Sequence, residues 1–475
     1  MKKMNLLVMS LVSAAALSFT SCSSNDDLDD NKAGQAKVDQ FYMTLTVETP
    51  NASGTRTVQS NEYNASEAES KITSGTFFLM DSKNKIVFHK KFENLEWDKK
   101  GETKLEIPVE AVVAGAEYKV YFLANADSKD PLNSTFSTTA TTDNKFVGDY
   151  AKANNFAMFN QNDSQVDGNG YTVTFIKANN NEANPAKVYY KGEVSPIKVE
   201  RVVARIDAPK NESTQVLAKY PENASEALKV AIDDAKDKVA NIELVDYAVA
   251  NLANQSYVMQ TWSENQLSLP ANTAYTQKAT DFGTKYYYKD NEFFNNNTVN
   301  YVFENNSSEN PTTMYFEYKV TLKNEKFEDD ADFKNDATNA GTFYRYNNVI
   351  YTSFDQIFKD YTGVADLFAK GMTADKMKEE LTNAINDDTK LSEFREKYNI
   401  EVFKGGKTYY KHVIKDNHIN GIIQRNSIYR LNINNIFNVG AQVPNGTTTV
   451  NEFYYLDVTV TVNPWVLNED NVDLQ

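Results

Sequence analysis

Short runs of aromatic and β-branched residues, alternating with polar ones, recur from Phe41 to Val466, and clusters of Asn, Asp, Gly and Ser break them every few residues. Such a run separates an apolar face from a polar one only as a strand, because successive strand side chains point to opposite sides. The pattern confines the chain to a mainly β fold, and the spacing of the turns predicts sandwiches. "TFFLM" (76–80), the turn "DSKNK" and "IVFHKKF" (86–92) predict a hairpin, and "EYKVYFLANAD" (117–127) a buried strand. "GYTVTFI" (170–176) alternates strictly behind a Gly-Asn-Gly turn. "IKVERVVARIDAP" (197–209) reads as one long strand stopped by Pro209, which sets the expected domain boundary.

Beyond that boundary, Ser225 to Val239 is helix-capable, and strands return at "ANIELVDYAVANL", 313–323 and 342–354. Residues 366–398 carry the strongest helical signal, with Leu367, Met377, Leu381 and Ile385 at helical spacing. That stripe is read as a face packed on a sheet. Strands follow at "GKTYYKHVI", "NSIYRLNINNI" and "FYYLDVTVTVNPWVL".

Met1–Lys2–Lys3 and the apolar run Leu6–Leu17 form a signal peptide, too short to span a bilayer. The run ends "LSFTSC", which resembles a bacterial lipobox with Cys22 as the lipidated residue, although Phe19 stands where leucine is usual. The bland alternative is ordinary secretion with a leftover thiol. "SSNDDLDD" follows as an acidic tether that resembles the surface-export signal of Bacteroidetes lipoproteins. Cys22 is the only cysteine, so no intrachain disulfide is available and the domains depend on their cores. A net charge of −16 with scattered lysines argues against nucleic acid as a partner.

Phe41, Met43, Leu45 and Val47 alternate with Tyr42, Thr44, Thr46 and Glu48, and the Gly/Ser/Asn-rich loop that follows contains Arg56–Thr57. Arg56 is the only arginine before Arg201; loop tips with small residues are where nicking occurs. The rival reading is an ordinary loop arginine. At the other end Leu456, Val458, Val460, Val462 and Val466 share one parity, Trp465 follows Pro464, and Val472 and Leu474 resume the parity. Residues 456–475 extended would reach about 66 Å, and five buried aliphatics would contribute on the order of 7–15 kcal/mol. Pro464 lacks a ladder donor and belongs at a bulge or an edge.

"GGKTYYKHVI", "IIQRNSIYRLNINNI", "VGAQVP" and "LDVTVTVNPWVL" resemble the C-terminal domain of Bacteroidales fimbrillins, most nearly the major (shaft) subunit of minor, Mfa-type fimbriae, also called type V pili. "YKVYFLANAD" and "VERVVARID" resemble strands of that family's first domain, and "ANIELVDYAVANL" the first long strand of its second. The resemblance implies two tandem transthyretin-like β-sandwiches, residues 57–209 and 210–475, with short helical insertions in the second. It further implies lipoprotein export by way of the outer membrane and cleavage after Arg56 by a maturation protease, removing 23–56. The matured subunits would then join as a homopolymer by donor-strand exchange, with 456–475 as donor. Anchor and tip fimbrial proteins are the implied partners, and adhesion and biofilm formation the implied roles.

Two alternatives stay open, an uncleaved lipid-anchored accessory subunit and a surface glycan-binding lipoprotein. Enzymatic signals are weak. His89, His412 and His418 make no two-ligand helical pair, and there is no G-x-S-x-G, P-loop or G-x-G-x-x-G. Asp163 to Gly170 is a partial calcium-loop pattern spoiled by Gln165 and by Thr174 in the glutamate position, so a turn is expected. The reading is therefore no catalysis, no metal and no cofactor.

Overall fold

The computed structural model describes residues 40–49, 63–138, 150–161, 170–275, 300–330, 333, 341–414, 423–443 and 456–466, except 65, 99, 178–179, 212 and 264–265. The described residues form one compact unit. It is mainly β, with several sheets and few helices.

The first sheet has ten strands. In chain order its principal members are β1 (Phe41–Glu48), then, beyond the two-residue β2 (Tyr63–Asn64), β3 (Gly75–Met80), β4 (Ile86–Phe92), β5 (Lys100–Ile107) and β6 (Glu117–Ala124). β7 (Met158–Asn160), β8 (Tyr171–Thr174), β9 (Tyr189–Tyr190), β10 (Glu193–Val194) and β11 (Ile197–Arg201) complete it. Its order is β10-β9-β8-β6-β7-β11-β1-β5, with the β3–β4 hairpin joined through β3 to β6. The hairpin expected at 76–92 is present, and β3 is buried on both faces. Asn160 closes a gap in the ladder. Its side chain accepts from the Phe122 N–H (2.7 Å) and donates to the Val120 carbonyl (3.0 Å), as a backbone amide would.

The single strand expected over 197–209 is two strands. β11 ends at Arg201, the chain bends at Val202–Val203, and β12 (Ala204–Ile206) joins a different sheet. All four residues from Val199 through Val203 that are apolar or basic are wholly buried in this bend, apart from Glu200 between them, which is nearly so. Apolar parity passes from Ile197 and Val199 to Val202, Ala204 and Ile206, so alternation breaks where the strand changes sheets.

The main elements that follow are α1 (Glu226–Lys238), β13 (Val239–Ala250), β14 (Asn300–Val302) and β15 (Thr313–Leu322), then β16 (Phe343–Tyr346) and β17 (Val349–Tyr351). Then come α2 (Phe354–Asp360), α3 (Ala374–Ala384), α4 (Asp388–Tyr398), β18 (Glu401–Phe403), β19 (Lys407–Val413), β20 (Ser427–Ile436) and β21 (Leu456–Val466). One sheet runs β2-β21-β20-β12-β14, and another β13-β15-β19. β15 and β19 pair directly, from Thr313↔Val413 to Lys319↔Lys407, so everything between them is an insertion at a hairpin end.

That insertion is a lobe with its own core of Tyr344, Phe354, Ile357, Met377, Leu381, Phe394 and neighbours. The three helices start at side-chain caps, Ser353, Thr373 and Asp387, each accepting from a backbone N–H in the first turn. Met377 and Leu381 pack inward as their spacing predicts, whereas Leu367 precedes α3 between Asp366 and Phe368, both at positive φ. The lobe is tied down by Arg345, which donates to the Val439 carbonyl (2.9 Å), and by the Ile350 N–H, which donates to Asp234 (2.6 Å).

Candidate assembly site

β1 is held along both edges. Against β5 it pairs over its full length, from Phe41↔Ile107 to Glu48↔Lys100. On the other edge it meets β11 at Val47↔Ile197 and Glu48↔Lys198, running parallel. The same edge is completed by a loop: Tyr42 N–H donates to the Asn180 carbonyl (3.1 Å), Ala186 N–H to Tyr42 (2.7 Å) and Thr44 N–H to Ala186 (2.9 Å). Phe41 is 4% exposed and Met43, Leu45 and Val47 are 0% exposed, with the Phe41 ring 5.4 Å from that of Phe175. On the outer face, Thr46 donates to Glu102 (3.1 Å).

Four such side chains contribute at most about 6–12 kcal/mol. Among the described residues β1 is the only strand that pairs with β5. Removing β1 would leave an apolar slot lined by unpaired backbone on both walls, with β5 left without a sheet neighbour. Opposite Val47, Gly101 has no Cβ because the Trp97 ring lies within 2.5 Å of where it would sit.

The C-terminal strand β21 pairs antiparallel with β20 of its own chain, from Leu456↔Ile436 to Pro464↔Ser427, with one irregularity between Ile433 and Asn435. Val458, Val460 and Val462 stand in register with Ile433, Leu431 and Tyr429, three residues that are wholly buried. Among the described residues the far edge of β21 meets only β2, in parallel, at Tyr63↔Trp465 and Asn64↔Val466. Pro464 thus falls in the stretch of β21 that, among the described residues, has a strand on one side only, which is where a residue without an N–H fits.

Immediately after β2 the chain is clamped by a polar hub. Ser66 caps the 3-10 turn Glu67–Glu69, and Glu69 reaches back to the Ser66 N–H (2.8 Å). Glu69 also accepts from Arg205 (3.0 Å) and from the Tyr301 hydroxyl (2.7 Å). Burial favours its neutral form, but Tyr301, the Arg205 charge and the Ser66 N–H outweigh that and hold the carboxyl below its ordinary range. Arg201, fully buried, donates to the Glu69 carbonyl (2.6 Å), the Ser70 hydroxyl (2.7 Å) and the Asn426 side chain (3.1 Å). Asp207 accepts from Arg205 (2.5 Å) and Arg430 (2.7 Å). The motifs "VERVVARID" and Arg425–Asn426, some 220 residues apart, therefore meet where the two sheets join. Arg425 itself makes a buried ion pair with Glu304 (2.9 Å).

Cys22, Arg56, Thr57, His418, the Asp163 loop and the residues beyond Val466 lie outside the described residues. Strand β21 is described, although the surroundings of its side chains are not. His89 is exposed on β4 and His412 sits half-buried on β19. Among the described residues no cluster of His, Cys, Asp or Glu is placed to hold a metal ion. Sequence reading missed β5 and Glu69. The alternation Lys104, Leu105, Glu106, Ile107 could have disclosed the first. A capping-box serine and glutamate, Ser66 and Glu69, could have disclosed the second.

Two family models match. "Major fimbrial subunit protein (FimA)" covers residues 42–201, from β1 to the end of β11. "Major fimbrial subunit protein type IV, Fimbrillin, C-terminal" covers 401–471, from β18 through β21. No curated protein matches the chain. Among solved structures, a fimbrilin (fimA) of Porphyromonas gingivalis has 15% identity and a TM-score of 0.45, covering 90% of this chain and 99% of that one. A candidate cell adhesion protein of Parabacteroides distasonis has 11% identity and a TM-score of 0.46, covering 90% and 98%.

Proposed function

Because this chain is a fimbrillin, a structural subunit and not an enzyme, we propose that it is the shaft subunit of a cell-surface fimbrium, exported as a lipoprotein through Cys22 and matured by cleavage after Arg56. Release of 23–56 takes β1 out of the first sheet. The slot between β5 and β11 then accepts a strand from a neighbour, and residues 456–475 supply it. The observation that carries this reading is β1 itself: a strand fully buried on one face, paired on both edges, and joined to the rest of the chain through the segment containing Arg56.

β21 rests on its own chain before exchange and must leave β20 to act as donor. Its position at a sheet border, with two residues of β2 as its other neighbour, supports that departure. A vacated slot with two unpaired walls is a template for strand addition, and its alternating pockets match the alternating parity of the donor. The division into two sandwiches, anchor and tip partners, and roles in adhesion and biofilm formation belong to the same proposal.

The test is mass spectrometry of the N-terminus from intact cells, with electron microscopy of protease-treated protein. Thr57 as first residue, together with filaments, supports the shaft role. An acylated Cys22 on the surface-borne protein would instead make it an anchor or accessory subunit.

A further inference from the structure

A polar cleft of about 480 Å³ lies beside the start of β3, bounded by the ends of β4 and β6 and by Asn155, shortly before β7. Of the side chains that line it, only Ala126 is apolar. Its floor is fixed by Asn125, which is buried and stands at φ 56°, a backbone region that asparagine tolerates better than most residues. The Asn125 side-chain oxygen accepts from the N–H groups of Thr73 (2.9 Å) and Ser74 (3.2 Å). Its amide donates to the carbonyls of Lys71 (2.8 Å) and Phe156 (2.9 Å). The Thr73 hydroxyl donates to the Asn155 side-chain oxygen (3.1 Å), and the Asn155 amide nitrogen has no partner among the described residues. On the exposed rim, Lys91 lies 3.1 Å from Asp127 and 3.7 Å from Glu93.

We propose that this cleft binds an uncharged mono- or disaccharide. Its volume is that of a small-molecule site, and its lining sets the class. With so little apolar surface, a lipid or an aromatic ligand would gain little from burial there. Two carboxylates against one ammonium repel an anion, and a cation would have to displace Lys91, which already faces both. A sugar hydroxyl both donates and accepts. Neighbouring hydroxyls can therefore accept from Lys91 and the Asn155 amide while donating to Asp127 and Glu93, and no charge pair need be pulled apart. The bonds of Asn125 hold the floor in place before any ligand arrives, so little ordering is lost there on binding. Neither β1 nor β21 lines the cleft, so the inference does not depend on cleavage or on strand exchange.

The experiment is saturation-transfer difference NMR on the full-length native protein. The probes, each added separately, are the methyl glycosides of galactose, mannose and N-acetylglucosamine, then sucrose, with propionate and ethanolamine as charged comparisons. Saturable transfer to at least one of the sugars is expected, with a Kd on the order of millimolar, because water competes for every hydrogen bond in an open polar site. Asp127→Ala and Asn155→Ala should each weaken that binding about tenfold. Glu193→Ala, on the exposed strand β10, should leave it unchanged. A thermal melt accompanies each variant; if Asn155→Ala fails to fold, Asp127→Ala carries the test, since the Asp127 side chain is exposed. No transfer to any of the sugars up to about 50 mM overturns the proposal. So does stronger transfer to propionate or ethanolamine than to every sugar, or an Asp127→Ala protein that binds the sugar as well as the parent does.

Discussion

β1 and β21 both alternate apolar and polar residues, yet β1 has partners along both edges whereas β21 has β20 along one edge and two residues of β2 along the other. Alternation specifies which face of a strand is buried but not how many neighbours it has. The difference separates a strand that must be cut to leave from one that can peel from a sheet border. In the assembly proposed above, the interior position would be the slot and the border strand its occupant.

The largest effect expected from this contrast is on removing residues 40–49. Loss of about 6–12 kcal/mol of burial, with β5 left unpaired, should sharply lower the thermal midpoint. A synthetic peptide of 40–49 added in excess should restore it. Truncation after Pro444 should lower the midpoint by less and leave a soluble, folded protein that forms no filaments on electron micrographs. If the truncation proves the more destabilising of the two, the contrast between the strands is broken.

Next in size, Glu69→Ala should cost about 3–5 kcal/mol in chemical denaturation, since it takes the Glu69 charge from beside the buried Arg201, one of two carboxylates from Arg205 and the acceptor from Tyr301. Glu69 also predicts an acid limb. Its folded-state pKa is lowered, so its contribution is complete above the ordinary carboxylate value and is lost as pH falls through the lowered one. Glu69→Gln should flatten that limb in stability measured against pH. Leu45→Ala should cost about 2–5 kcal/mol, because its site between two paired strands has little freedom to collapse. Thr46→Ala, on the outer face of the same strand, should cost less than about 1 kcal/mol. Equal costs at 45 and 46 would mean that the two faces of β1 are not distinguished.

Much of the strand set was legible because apolar period and turn residues agree. β3, β4, β6, β13, β15, β19 and β20 fall where alternation and their flanking turns put them, and Ser225 caps α1 as a helix start should be capped. Partner choice was not legible. In "VERVVARID" the parity break at Arg201–Val203 marks a bend, but nothing local says that Arg201 stays in the first sheet while Arg205 stands in another. The role of Glu69 depends on Arg205 and Tyr301, 136 and 232 residues away.

The lobe between β15 and β19 leaves and re-enters the body at adjacent rungs of one ladder, so its two stems stand about 5 Å apart. A plug-in with neighbouring terminals can be shortened, exchanged or replaced by a foreign sequence while the supporting hairpin closes beneath it. The contacts of Arg345 with Val439 and of Ile350 with Asp234 are then what a replacement would have to reproduce.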